Sequence, residues 1–575
     1  MMIGADLIAD SFVRHGIKKL YLYPGGTIAP TLDSSLKRGL TYFCARHEQG
    51  AGYAALAEAR LSGQPQVVMV TSGPGATNIV TPVADAYFDS TPLVVVTGQV
   101  GRGDMRGDRP VRQRGFQEID CVAMMRPIAK AVFLATDTDS VGELFDRAFA
   151  LAKEGRAGPV VVDLPMDVQR SLVIKAPERV KQADAPLLGS SLNEELTQQL
   201  AKTALLLSQA ERPVLLVGQG VLAAKASGLL RQLVEQQQVP VVMSLLGLSA
   251  FPSEHSLSLG FLGHTGTQYA NKAIHHSDLV IVLGARLDIR QTGNRCQDFA
   301  PQAKIVRIDI DPTEISYSRI RQDLTLCVDA GLALGEILSQ SALLTTAAKP
   351  ARQEWLAQLA GWKEEFSLAY PKNDGLFHPQ EVIEFVSERY LKNNRDCVVV
   401  TGVGSHQQWV ARHFALATPH RRWLTSGGHG SMGYDLPSAI GAAMANPGVD
   451  VLCFVGDGSL QINIQEFAAI IEYQVSLKII VLDNNRLGIV SQFQNFNWSE
   501  DPSTGGKWNP DFDAIARAYG IKAYKINSSA EMRATVPEFL EQTGPALVHC
   551  HIHRQEDVVP MLLAGQTMDK MWPYA

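Results

Sequence analysis

Short apolar runs alternate with longer amphipathic stretches along almost the whole chain. In the first part the runs are 20–23, 67–70, 93–97 and 160–164, long enough for a buried strand and too short for a buried helix. Each ends in turn chemistry: Pro24-Gly25-Gly26, Ser72-Gly73-Pro74-Gly75, Gly98-Gln99 and Pro165. A second set, 214–217, 240–243, 279–283 and 305–308, and a third, 398–401, 451–455 and 477–482, repeat the arrangement. Strands that alternate with helices predict an α/β protein with three doubly wound parallel-sheet domains. The expected boundaries are 1–168, 193–345 and 376–553, with 554–575 as a C-terminal tail. Residues 169–192 and about 346–375 lose the periodicity, gain Lys and Pro, and read as linkers.

Composition narrows the class. With 46% hydrophobic residues, 29 prolines and 48 glycines in 575 residues, this is ordinary globular protein. No apolar run reaches the length of a membrane span, and the start, MMIGADLIADSFVRHG, carries acidic residues and amphipathic spacing in place of a signal-peptide core. A cytoplasmic location is expected. The seven cysteines form no CxxC pair and read as reduced thiols. His549, Cys550, His551 and His553 cluster, but they read as one face of a strand and not as a metal site. A net charge of −6 leaves no nucleic-acid footprint, so a small-molecule enzyme fits best.

The most specific chemistry lies in 453–490. A strand-type run breaks at Gly456-Asp457-Gly458, a helical segment follows, and a second strand-type run ends at Asp483-Asn484-Asn485. A right-handed crossover brings the two strand ends to one sheet edge, so Asp457 and Asn484 can face one spot. One carboxylate and one amide oxygen are hard ligands, too few to cage a cation alone; Mg²⁺ is held this way when phosphates complete its shell. Gly456 and Gly458 let backbone N–H groups approach those phosphates. Alone, Gly-Asp-Gly is more often a simple turn; the spacing and the two strand contexts favour the metal.

This pattern resembles the thiamin-diphosphate motif of the pyruvate decarboxylase and acetohydroxyacid synthase superfamily. The resemblance implies Asp457, Asn484 and the backbone carbonyl of Arg486 as metal ligands; the first Asn of the family's pair is Asp483 here. The motifs YPGG, RHEQGA and TSGPGATN follow in the order seen in acetohydroxyacid synthases. There Glu48 would activate the cofactor, with Pro24, Gly25 and Gly26 beside it and two chains making each site. By the same resemblance Phe116 and Gln117 would lie beside the reacting atoms and Lys130 at the site entrance. His406 and Gln407 would flank the diphosphate, Gly430 and Ser459 would border the cofactor, and Met432 would prop it in its bent shape. The segment LGARLDIRQTGN resembles the flavin-binding segment of FAD-containing members, which implies Gly218, Gly220, Arg286, Arg290 and Asp309 at an FAD site. His264-Thr265 stands where the family has Met-His, and Ile289 where it has Asp.

The function implied is a carboligase dependent on thiamin diphosphate and Mg²⁺. It would decarboxylate a 2-oxo acid, with pyruvate expected, and transfer the hydroxyethyl unit to a second carbonyl, so that acetolactate synthesis is the first reading. The alternatives are a related carboligase with another ketone or aldehyde acceptor, such as a nucleotide-linked keto sugar, or a plain 2-oxo acid decarboxylase. A non-catalytic flavin- or nucleotide-binding relative would have no need of Glu48, Asp457 and Asn484 together. A homodimer or homotetramer with room for a regulatory subunit is expected, with neither nucleic-acid nor membrane partners. Phe493 takes the place of a family Trp in the acceptor pocket. The Arg-rich stretch 101–114 either suits a phosphate-bearing acceptor or is a solvated loop.

Overall fold

The computed structural model describes residues 1–174, 191–343, 349–371, 375–497 and 509–574. They form three six-stranded sheets in which every neighbouring pair is parallel. The first holds β1 (Lys19–Leu22), β2 (Thr41–Cys44), β3 (Gln66–Val70), β4 (Leu93–Gln99), β5 (Ala131–Leu134) and β6 (Pro159–Pro165) in the order β2-β1-β3-β4-β6-β5. The second holds β7 (Pro213–Val217), β8 (Val241–Met243), β9 (Ser258–Phe261), β10 (Leu279–Leu283), β11 (Lys304–Asp309) and β12 (Leu324–Cys327) in the order β12-β11-β10-β7-β8-β9. The third holds β13 (Cys397–Thr401), β14 (Arg421–Thr425), β15 (Asp450–Gly456), β16 (Lys478–Asp483), β17 (Lys522–Ile526) and β18 (Ala546–His551) in the order β14-β13-β15-β16-β18-β17. The third sheet repeats the topology of the first.

The central strands are continuous apolar runs because helices cover both faces; β3, β4, β6, β7, β10, β13 and β16 are buried throughout. Of the seven strands that the apolar runs do not mark, six, β2, β5, β9, β12, β14 and β17, are the six sheet edges, and the seventh, β18, lies inside the third sheet. Edge strands are short and face solvent along one side, so polar residues interrupt them; TYFC in β2 and KAYKI in β17 are half exposed.

Two departures from the expected linkers follow from burial. Residues 346–375 contain the helix Lys349–Glu365, whose Trp355 and Leu359 complete the core on one face of the middle sheet. Its buried Arg352 donates to the Leu207, Ala210 and Gln237 carbonyls that end two other helices. The C-terminal stretch also packs on the middle sheet, through Leu562, Met568 and Met571. In the first predicted linker, 175–190 lie outside the described residues, while Gly4 and Val173 bond to the Ser171 and Met2 carbonyls.

The first and third sheets share one core. It is built around the helices Glu48–Ser62 and Asp435–Ala445. Both are rich in Ala and Gly, and small side chains let two helix axes close in. The Gly441 Cα faces the Ala54 backbone so closely that a Cβ there would lie 2.1 Å from the Ala54 oxygen. Tyr53 and Tyr434 pack edge to face beside this contact, with ring centroids 5.1 Å apart.

Gly441→Val should therefore destabilise by at least the ~1–3 kcal/mol typical of overpacking, because backbone and not a flexible side chain stands in the way. Gly228→Ala, in a helix where an added Cβ meets nothing within 4 Å, should be neutral or slightly stabilising. Thermal melting of the two variants against wild type checks both; equal melting temperatures would contradict the packing account.

Candidate active site

In doubly wound sheets, ligands bind beyond the carboxyl ends of the strands, where the strand order reverses. Here those points fall between β1 and β3, between β7 and β10, and between β13 and β15. The glycine-rich turns sit at these points.

On the first sheet, Pro24, Gly25 and Gly26 follow β1 and Ser72 follows β3. The two turns are bound together by Thr27 Oγ1, 2.9 Å from Thr71 Oγ1, and by the Ser72 N–H, which donates to Thr27 Oγ1. A Cβ on Gly25 would lie 2.3 Å from Thr71 Cβ, so only glycine allows this approach. Glu48 opens its helix after β2 and is buried, and its Oε2 accepts a hydrogen bond from Asn78 Nδ2 at 3.0 Å. A second buried carboxylate that the sequence reading missed, Glu466, lies under the same helix start and accepts the Arg46 N–H. Burial pushes it up to about 7.

On the third sheet the loops after β13, β14 and β15 meet at Asp435, which is fully buried. Its carboxylate accepts the Gly402 N–H at 2.6 Å and the Ser459 hydroxyl at 2.5 Å, and lies 3.0 Å from His406 Nε2. Ser459 Oγ in turn accepts the Gly433 N–H. Gln407 donates to Thr425 Oγ1 and to the Ser426 carbonyl. Met432 borders the turn, since a Cβ on Gly458 would meet its Cε at 3.3 Å. Gly430 has a positive φ of 77° and open space around it. Asp435 had a signal: it directly follows the GSMGY motif.

Asp457 begins a short helix after β15, and Asn484 follows β16. Both are buried, as are Asp483 and Arg486. Asn509 Nδ2 donates to Asp457 Oδ2 at 2.6 Å and to Asp483 Oδ1 at 2.8 Å, so the two carboxylates face one point. Burial and then the Asp483 charge push Asp457 up to about 6. Two buried carboxylates with an amide between them are a hard-oxygen set short of positive charge, which fits a divalent cation. Asp483 Oδ2 also lies 2.9 Å from His549 Nε2 and 3.8 Å from His551 Nδ1.

The middle sheet borders a cleft of about 590 Å³ among the three domains, lined by Gly220, Gly284, Arg286, Asp309, Phe88 and Arg156. A Cβ on Gly218 would lie 2.0 Å from the Gly284 oxygen, and one on Gly220 would lie 2.7 Å from the Gly284 Cα. Arg286 bonds Asp288 at 2.7 Å, and Asp288 caps the short helix that carries Arg290. Burial pushes Asp309 up to about 6. Such a Rossmann-ordered sheet, with glycine turns at its switch point, suits a nucleotide.

Of the other predicted residues, Gln117 reaches the turn that leads to Asn78, the hydrogen-bond partner of Glu48, whereas Lys130 lies at the opposite edge of the sheet. Phe116 is 85% exposed. Gln117, at a positive φ of 64°, packs against Gly73. Lys130 precedes β5, at the amino edge of the first sheet, and its Nζ donates to the Glu154 carbonyl. Phe493 is 38% exposed and stacks on His264 with centroids 5.2 Å apart. In the Arg-rich loop, Glu118 accepts the Arg106, Arg114 and Gly115 N–H groups, and Arg102 pairs with Asp167 at 2.7 Å.

Three domain families match the chain in order: thiamine pyrophosphate enzyme, N-terminal TPP binding domain, at residues 2–124; central domain at 200–337; and C-terminal TPP binding domain at 402–550. The fold and the switch-point turns are those of a three-domain thiamin-diphosphate enzyme. Acetolactate synthase isozyme 1 large subunit of Escherichia coli (strain K12) is 39% identical over 575 residues, covering 99% of this chain and 97% of the relative. Probable acetolactate synthase 2, chloroplastic, of Oryza sativa subsp. japonica is 38% identical over 584 residues, covering 97% of this chain and 84% of the relative. The acetolactate synthase large subunit of Parasynechococcus marenigrum (strain WH8102) is 36% identical, with 99% and 90% covered. The chain belongs to the acetolactate synthase large-subunit family.

Since the folded-state pKa of Asp457 is raised, its ionised form costs stability, and the cost is complete once the pH exceeds about 6. Asp457→Asn should therefore raise the melting temperature of the metal-free protein at pH 7.5, by an effect on the order of 1 kcal/mol, and lose the stabilisation that added Mg²⁺ and thiamin diphosphate give wild type. Thermal melts with and without both ligands decide it. A variant less stable than wild type without metal would contradict the electrostatics.

Proposed function

We propose that the chain decarboxylates a 2-oxo acid, pyruvate first of all, and joins the two-carbon unit to a second carbonyl, making acetolactate when that acceptor is also pyruvate. One observation carries the reading. A buried carboxylate, Glu48, stands at the carboxyl edge of one sheet and a buried hard-oxygen set, Asp457 with Asn484, at the carboxyl edge of its topological repeat.

Thiamin diphosphate, when bound, supplies the electron sink for decarboxylation and carbon–carbon bond formation. The chain's part is to bind, orient and protonate. Asp457, Asn484 and the Arg486 carbonyl are the proposed Mg²⁺ ligands; the charge deficit at Asp457 supports this. Gly456, Gly458 and Ser459 border the diphosphate, with His406 and Gln407 held rigidly beside it by Asp435 and Thr425. Met432 stands against Gly458 as the prop. Glu48 would hold the proton shared with the aminopyrimidine ring, a role for which a carboxylate is suited and an amide is not.

The exposure of Phe116, and the place of Lys130 at the amino edge of the first sheet, support a site completed by a second chain in a homodimer or homotetramer. The interdomain cleft, with its close glycine contacts and with Arg286, Arg290 and Asp309 around it, supports FAD. The reaction exchanges no net electrons, so the flavin has a structural part. Relatives named as large subunits support a regulatory partner. Seven free cysteines support a cytoplasmic location; among the described residues no helix is long and apolar enough to cross a membrane. The second reading, a phosphate-bearing acceptor, is favoured by Arg109, Arg112 and Arg114, which stay exposed in their loop.

Mass spectrometry of the products from pyruvate, alone and with candidate acceptors, tests the reading. Acetolactate from pyruvate alone is expected, and Glu48→Gln should remove all but about one part in 10²–10⁴ of the turnover while melting like wild type. Unchanged turnover in that variant would refute the assignment of Glu48.

Phe493 offers less apolar surface to a 2-oxobutyrate acceptor than a Trp would, a difference of about 1–2 kcal/mol. In competition between the two acceptors, wild type should show little preference for 2-oxobutyrate. Phe493→Trp should raise its share of the product several-fold, and an unmoved ratio would sink this account of the pocket.

A further inference from the structure

The helix Val80–Phe88 ends where all three domains meet, and it brings two buried carboxylates, Asp85 and Asp89, to that junction. Asp89 Oδ2 accepts the Gly427 N–H at 2.9 Å and Oδ1 accepts the Gly428 N–H at 2.7 Å. Asp85 Oδ2 accepts the Ser426 hydroxyl at 2.7 Å, and Ser426 Oγ accepts the Gly430 and Ser431 N–H groups at 3.1 and 2.9 Å. The two side chains thus organise four backbone amides of the loop that runs from β14 to Met432. Arg60 donates to the Thr425 carbonyl at 2.6 Å and lies 3.7 Å from Asp89 Oδ2. Burial, with the neighbouring Asp89 charge behind it, pushes Asp85 up to about 8.

The other side of the same helix end faces the interdomain cleft. Gln219, between the two cleft glycines, donates from Nε2 to the Asp89 carbonyl at 2.9 Å. Arg286 Nη1 donates to the Phe88 carbonyl at 3.4 Å. The Phe88 ring stacks on His429, with centroids 5.8 Å apart and planes at 15°. The loop is also pinched: a Cβ on Gly427 would lie 2.5 Å from Leu246 of the middle domain, and one on Gly428 would lie 2.8 Å from Phe88. Asp89 is thus held through its main chain by cleft residues and holds Gly427 and Gly428 through its side chain, while Asp85 holds Gly430 and Ser431 of the same loop through Ser426. A Gly-Gly loop has much conformational freedom to lose, so whatever fixes its anchor lowers the entropy that a cofactor must remove on binding.

We infer that Asp89, assisted by Asp85, couples the two cofactor sites: a flavin in the cleft immobilises Gln219 and Arg286, these fix Phe88 and Asp89, and Asp89 orders the loop that carries Gly430 and Met432. The inference rests on the flavin reading of the cleft. Asp85 and Asp89 are positioning residues, since each acts on the cofactor through the loop. Flavin and thiamin diphosphate then bind with positive cooperativity, and the coupling is the same whichever binds first.

The test is a pair of equilibrium titrations by calorimetry on the full-length protein stripped of cofactors. Thiamin diphosphate with Mg²⁺ is titrated with and without saturating FAD, and FAD with and without saturating thiamin diphosphate and Mg²⁺. Wild type should bind thiamin diphosphate about tenfold more tightly in the presence of FAD, within the usual range of coupling, and the reverse titration should return the same factor. Asp89→Asn puts an amide N–H against a glycine N–H and should bring the factor close to one while FAD still binds. Ser426→Ala frees Gly430 and Ser431 without touching Asp89 and should lower it in part; it decides the matter if Asp89→Asn does not fold. FAD binding with a factor of one in wild type, or an undiminished factor in the variants, overturns the coupling alone. Failure of wild type to bind FAD overturns the flavin reading and the coupling with it.

Discussion

The contact on which the rest depends is the close packing of the helix Glu48–Ser62 on the helix Asp435–Ala445. It works because Gly441 brings its backbone against Ala54 and because the facing residues are small. One core then serves two sheets, and the carboxyl edges that carry the chemistry take fixed positions relative to each other. The first of these helices opens on Glu48, and Asp435, from which the second begins, ties together the loops after β13, β14 and β15. Packing and chemistry are thus parts of one element pair. A shift in the helix contact would move the carboxyl edge of one sheet against that of the other.

Around this frame the buried polar groups are concentrated at loop ends, where strands stop and the backbone must be fixed by side chains. Asp435 bonds three loops, Asp89 two glycine amides, and Glu118 three amides of the Arg-rich loop. In a low-dielectric interior such carboxylates stabilise the fold only when their partners are all in place. This is why single residues that make no contact with substrate can govern the geometry of a site. Asp457 and Asp483 differ in kind, because their mutual repulsion is only partly relieved by Asn509 and His549. That residual deficit sets this pair apart from the structural networks.

The local chemistry was legible in the sequence wherever backbone and side-chain requirements coincide. Gly456-Asp457-Gly458 and the Asn484 turn lie at the ends of fully buried strands, and the Gly25 turn at the end of a largely buried one, so apolar runs and glycines mark them together. The central strands were legible for the same reason. The edge strands were not, since one open side allows polar residues that break the run. The helix Lys349–Glu365 does carry a helical signal, Trp355, Leu356, Leu359 and Trp362 at i, i+1, i+4 and i+7, which the linker reading passes over because Lys and Pro open the segment.

By itself the sequence determined three parallel α/β units, the turn chemistry at their strand ends and the residue types that suit a metal and a phosphate. Those features follow from local hydrogen bonding, periodicity and steric tolerance, which a chain carries wherever it is placed. The tertiary structure alone decided that the first and third sheets share a core, that Asp89 anchors a loop 338 positions away, and that Lys130 stands at the sheet edge opposite Glu48. Such relations depend on which surfaces meet. A single side chain's preferences do not encode them, because the contacts that fix them join residues hundreds of positions apart.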